Sequence, residues 1–171
     1  MVVRGRKVKL LAGASRNEYP TGDVILLNDA TVNDDLIASM RQMPHLTAVA
    51  LKSTVITAQQ LSEIVNSRDI EWIDLEGSPV SDDVVRVICR LPSIKRLNLS
   101  GTAISNSALE CISTLPNLEV LDVSNTRVSP PGIMRLTALQ TLKELRIDGV
   151  RLSEREAAEI ETAFSTAVLV W

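Results

Sequence analysis

Aromatic side chains are nearly missing from this 171-residue chain, where two Trp, one Tyr and one Phe make up 2%. None of them interleaves with the basic opening, Arg4, Arg6, Lys7, Lys9 and Arg16. That segment offers no rings for base stacking, so a solvated tail or cap edge is favoured over contact with RNA or DNA. Histidine occurs once, at His45 beside Pro44, where a surface turn is expected rather than a general base. Cysteine occurs twice, at Cys89 and Cys111, with no C-x-x-C and no second His to complete a zinc set. With no export signal in view, both are expected to be reduced thiols. Apolar runs stop at four or five residues, against the ~18 to 20 that cross a bilayer. Lys9 splits the apolar stretch near the start and leaves it too short for a secretory core. A cytoplasmic location is therefore expected. Phosphate-cradling glycine loops are absent, so no cofactor is expected, and a net charge of −3 gives no general pull toward nucleic acid.

What is present is enough apolar residue, 45% of the chain, for one domain with a buried core. It is arranged with a period of 24. Ile25-Leu26-Leu27, Val49-Ala50-Leu51, Ile73-Asp74-Leu75, Leu97-Asn98-Leu99, Leu121-Asp122-Val123 and Leu145-Arg146-Ile147 recur without an insertion or deletion. Three residues before five of these triplets stand Leu46, Ile70, Ile94, Leu118 and Leu142; five residues after the six come Val32, Ile56, Val80, Ile104, Val128 and Leu152. A fixed period of this length identifies a solenoid of stacked coils.

The stretch Ile94-Lys95-Arg96-Leu97-Asn98-Leu99-Ser100-Gly101-Thr102-Ala103-Ile104 resembles the leucine-rich repeat pattern L-x-x-L-x-L-x-x-N-x-L. Six units from Gly22 to Ser165 and a partial one to Trp171 carry it, leaving residues 1–21 as an N-terminal cap or basic tail and 22–171 as the repeat domain. The resemblance implies a right-handed α/β solenoid, a horseshoe segment with a parallel sheet on the concave side and helices on the convex side. Where the family places Asn, this chain has Ala30, Thr54, Ser78, Thr102, Thr126 and Val150. That resembles a bacterial variety with Thr in place of Asn, whose hydroxyl could supply a shorter ladder; Ala30 and Val150 cannot.

Two further columns give the unit its local structure. Asp29, Ser53, Gly77, Gly101, Asn125 and Gly149 are residue types that tolerate positive φ, marking where the chain leaves each strand. Asn33, Thr57, Ser81, Ser105, Ser129 and Ser153 are preferred helix N-caps, followed by first-turn acids such as Asp34, Asp82, Asp83 and Glu154. Inward stripes follow, as in Val85-Ile88-Leu91 and Leu109-Ile112-Leu115, and Pro44, Pro92 and Pro116 are expected to stop three of the helices.

In each triplet the middle residue faces away from the core. The outward columns then run Val24, Ala48, Trp72, Arg96, Val120, Glu144; Leu26, Ala50, Asp74, Asn98, Asp122, Arg146; and Asn28, Lys52, Glu76, Ser100, Ser124, Asp148. From these, Trp72, Asp74, Glu76, Arg96, Asn98, Asp122, Arg146 and Asp148 form the candidate surface for a protein partner, with Trp72 its natural anchor unless residues 1–21 fold back against it. The resemblance supplies the expectation of a non-catalytic protein-binding scaffold. The alternatives are a structural subunit held by its solenoid ends and nucleic-acid contact through the basic opening. At the other end Leu169 and Trp171 continue the inward register, so Trp171 is expected to cover the last coil and the adjacent edge to favour weak self-association.

Overall fold

The computed structural model describes residues 2–3, 6–7, 9–16, 19–65 and 69–171, with side chains from residue 22 onward. Four strands lead the chain: β1 (Val2–Val3), β2 (Arg6–Lys7), β3 (Lys9–Arg16) and β4 (Tyr19–Asn28). Helix and strand then alternate through α1 (Asp34–Arg41), β5 (Leu46–Lys52), α2 (Ala58–Val65), β6 (Trp72–Asp74), α3 (Asp82–Ile88) and β7 (Arg96–Asn98). They continue through α4 (Asn106–Ile112), β8 (Val120–Asp122), α5 (Pro130–Arg135), β9 (Glu144–Arg146), α6 (Glu154–Ala163) and β10 (Val168–Val170). The strands β4 to β10 form one open parallel sheet in sequence order, and each helix lies between successive strands. Partners across the sheet are one period apart, as in Ile73↔Leu97, Leu97↔Leu121 and Leu121↔Leu145. Coils therefore stack without sliding, and a strand spacing of about 4.8 Å makes the seven parallel strands roughly 30 Å across.

Burial follows the sequence columns. Both inward residues of all six triplets are at most 2% exposed, and the stripes from α1 to α5 bury the opposite wall. All six strand-exit residues have φ between 48° and 75°, the non-glycines Asp29, Ser53 and Asn125 included. The hydroxyls of the column are bonded, with Thr54, Ser78 and Thr102 buried and Thr126 half-buried. The Ser78 hydroxyl donates to Leu51 O of the preceding coil at 2.5 Å and accepts from Thr54 N at 3.0 Å. Thr102 and Thr126 instead donate within their own turns, to Leu99 O and Val123 O.

Four of the six predicted caps accept a helix amide: Asn33, Thr57, Ser105 and Ser153, the last in a full capping box with Glu156. The other two are spent elsewhere. Ser81 donates to Asp83 at 2.6 Å, and the Ser129 hydroxyl accepts from Asn106 at 2.8 Å. The prolines do not themselves stop the helices, since α1, α3 and α4 end at Arg41, Ile88 and Ile112 and a tightened turn intervenes, with Met43 N bonding Met40 O and Leu91 N bonding Ile88 O.

Two further expectations are corrected. Cys89 and Cys111 are joined in a disulfide rather than held as thiols. Their spacing falls two short of the period, which is the offset at which neighbouring helices touch: Arg41 and Glu63, at the same places two coils earlier, form an ion pair at 2.6 Å. Trp171 does not cover the last coil. It lies beyond β10 and is 43% exposed, while Leu169 packs against the core. Ahead of the parallel strands, β3 runs antiparallel to β4, with Leu10 opposite Ile25, and occupies that edge of the sheet. Beside it the outward Val24 and Ala48 are fully buried, and Ala50 is 3% exposed. The side chains of the basic opening lie outside the described residues.

Candidate protein-interaction face

Register fixes the concave face, because parallel strands one period apart set equivalent residues side by side. One row runs Trp72, Arg96, Val120, Glu144 and the next Asp74, Asn98, Asp122, Arg146. In the first row Arg96 is exposed between half-buried Trp72 and Val120.

The second row shows why polar residues can sit there. Asp74, Asn98 and Asp122 each turn one side-chain oxygen back to accept the amide two residues on, from Glu76 at 3.1 Å, Ser100 at 2.9 Å and Ser124 at 2.9 Å. This local bond satisfies the amide where the strand bends into its turn.

Charges on the face are mostly paired. Lys52 bridges two carboxylates, Asp74 at 3.2 Å and Glu76 at 2.6 Å. Burial pushes the Asp74 carboxyl above the usual range, only partly offset by the Glu76 amide and by Lys52; the Glu76 carboxylate in turn raises the Lys52 ammonium. Arg146 bonds Glu144 on its own strand at 2.6 Å, which holds it firmly protonated. Asp148 is tied to Ser124 through its amide, at 3.1 Å. Among the described residues Arg96 makes no ion pair.

Six of the eight sequence-selected residues, Trp72, Asp74, Arg96, Asn98, Asp122 and Arg146, line a single depression of about 180 Å³ together with Leu97 and Val120. Glu76 and Asp148 lie outside it, on the strand-exit side. Lys52 was not selected, although it shares the Glu76 column; its position one coil from two acids was the available signal. His45 is exposed in its return loop and accepts the Asp23 amide through its carbonyl. The Asp74 and Asp122 carboxylates share the depression, but each has an oxygen committed to its own turn, which leaves little of a free acid–base pair.

The family described as Leucine Rich repeat matches residues 90–113 and 114–136, two successive coils in the middle of the solenoid. No curated protein sequence matches the chain. Among solved structures, an internalin from Listeria monocytogenes superposes with a TM-score of 0.55 at 17% identity, covering 81% of this chain. The chain spans 37% of that internalin's length. At that identity the likeness is one of fold. Period, buried columns and strand-exit geometry agree with the two matched coils: residues 90–136 match the leucine-rich repeat family, and the α/β solenoid that contains them has the fold of a leucine-rich repeat protein.

Proposed function

We propose that this protein is a non-catalytic scaffold that binds another protein across the depression on its concave sheet. The leucine-rich repeat fold is commonly a protein-binding one. The observation that carries the reading is Arg96, an exposed cation with no acid partner among the described residues, set between half-buried Trp72 and Val120 on adjacent strands. A large apolar anchor beside an unspent charge is the composition of an interface hot spot. The double variant Trp72→Ala with Arg96→Ala should keep the wild-type far-UV circular dichroism while losing partners that the wild type captures from extracts of its source cells. Loss of capture in Arg86→Ala with Arg90→Ala, two exposed residues on the helix side, with capture kept by the concave variant, would move the site to the convex face.

A second reading is favoured by one observation at the open edge of the sheet. Val168 in β10 is 64% exposed beside unpaired strand backbone, a combination that promotes weak self-association. Light scattering that shows a concentration-dependent dimer, abolished by Val168→Lys, supports it; a monomer at all concentrations removes it.

A further inference from the structure

The disulfide sits where the coil geometry demands contact. Cys89 stands two periods on from Arg41, and Cys111 two periods on from Glu63. At the first of these junctions the contact is an exposed ion pair; at the second it is covalent, linking the C-cap of α3 to the last turn of α4. The coils so joined are those whose strands, β6 and β7, carry Trp72 and Arg96 on the opposite face. In a solenoid each coil touches only its neighbours, so the stiffness of one junction is set locally. Strand spacing is fixed by backbone hydrogen bonds at about 4.8 Å, which leaves helix separation as the variable that shapes the face. Both sulfur-bearing residues are half-buried rather than sealed in the core, so a small reductant reaches them.

We propose that the Cys89–Cys111 bond is a redox-set clasp: closed, it fixes the junction that carries Trp72 and Arg96, and opened by a dithiol it leaves that junction looser. The opening is ordinary exchange. A reductant thiolate attacks one sulfur, its second thiol resolves the mixed disulfide, and two electrons and two protons pass to Cys89 and Cys111 while the reductant becomes a disulfide. The importance of this junction rests on the concave-face reading, but the clasp itself is measured without any partner, so the two can fail separately.

The test is hydrogen exchange of the full chain, mildly oxidised, then reduced with a phosphine, beside the variant Cys89→Ala with Cys111→Ala. Closed, the chain should take up no thiol alkylator when denatured. Reduction should speed exchange several-fold in peptides of β6, α3, β7 and α4, leave β9 and α6 unchanged, and lower the melting temperature. The variant should match the reduced chain and ignore the reductant. Two alkylatable thiols after oxidation, or identical exchange in oxidised and reduced wild type, would overturn the proposal. Because reduced wild type is itself the measurement, poor folding of the variant does not blunt it.

Discussion

The Asp82 carboxylate takes two hydrogen bonds from Ser105 one coil on, from its amide at 2.8 Å and from its hydroxyl at 2.6 Å. Asn106 repeats the device on the next junction, accepting from the Ser129 amide at 3.0 Å and donating to its hydroxyl at 2.8 Å. First-turn acids suit the helix dipole, and here the same position also staples one helix start to the next.

Asp82→Ala should therefore cost more than loss of the neighbouring cap residue. It strips the acceptor from a part-buried amide and hydroxyl, a loss of about 1–3 kcal/mol, whereas Ser81→Ala removes only a bond to exposed Asp83 and should stay within about 0.5 kcal/mol. Urea denaturation of the two variants decides the order; equal losses would refute the staple.

Gly132 gives a prediction of sign. Gly→Ala within a helix ordinarily gains roughly 0.5–1 kcal/mol, but a Cβ at this buried site would strike the Asn106 side chain. Gly132→Ala is expected to destabilise. Combined with Asn106→Ala it should cost less than the two single losses added, a coupling of about 0.5–3 kcal/mol in a double-mutant cycle.

Asp74 makes stability depend on pH. Its folded carboxyl binds a proton more readily than the unfolded one, so its contribution is most favourable in acid. That contribution declines as pH rises from the ordinary aspartate value of about 3.9 through the raised folded value, and is level above it. Asp74→Asn should abolish this decline while keeping the turn, since Asn98 already accepts the Ser100 amide in the same way. Urea midpoints measured across acidic to neutral pH test it; an unchanged slope in the variant counts against the assignment.

Core and terminus should respond very differently to truncation. Leu99→Ala and Leu121→Ala empty sites that are 0% exposed and should cost about 2–5 kcal/mol each. Trp171→Ala removes a side chain that is 43% exposed and should cost under about 1 kcal/mol. A melting temperature for Trp171→Ala as low as that of Leu99→Ala would place the indole in the core.

Most of the architecture was legible because each column answers to one local demand. A position that needs positive φ selects Gly, Asn, Asp or, as Ser53 shows, a small polar residue; an inward position selects Leu, Ile or Val. What sequence alone did not reveal depends on relations between coils or on the ends, where no repeat averages the signal. The cap column was read from residue type, yet whether Ser129 caps its own helix or receives Asn106 depends on a side chain 23 residues away. Motif and export signal say nothing of how Cys89 and Cys111 meet, because contacts between helices follow an offset that Arg41 and Glu63 display. Of the candidate face, register supplied the rows; which charges remain unspent required side-chain geometry, since among the described residues Lys52 reaches two acids and Arg96 none.

The edge where strands begin carries one last ladder: Glu71 pairs with Lys95 at 2.9 Å and Glu119 with Lys143 at 2.9 Å. Each pair is solvated and contributes little stability, but the alternation gives the coils a parity. Excising residues 95–118 would bring Glu71 beside Glu119, like against like, whereas excising 95–142 would bring Glu71 beside Lys143 and restore an opposite pair. At this edge an even deletion keeps opposite charges side by side and an odd one sets like beside like, so gain or loss of coils in twos is the route that preserves the alternation.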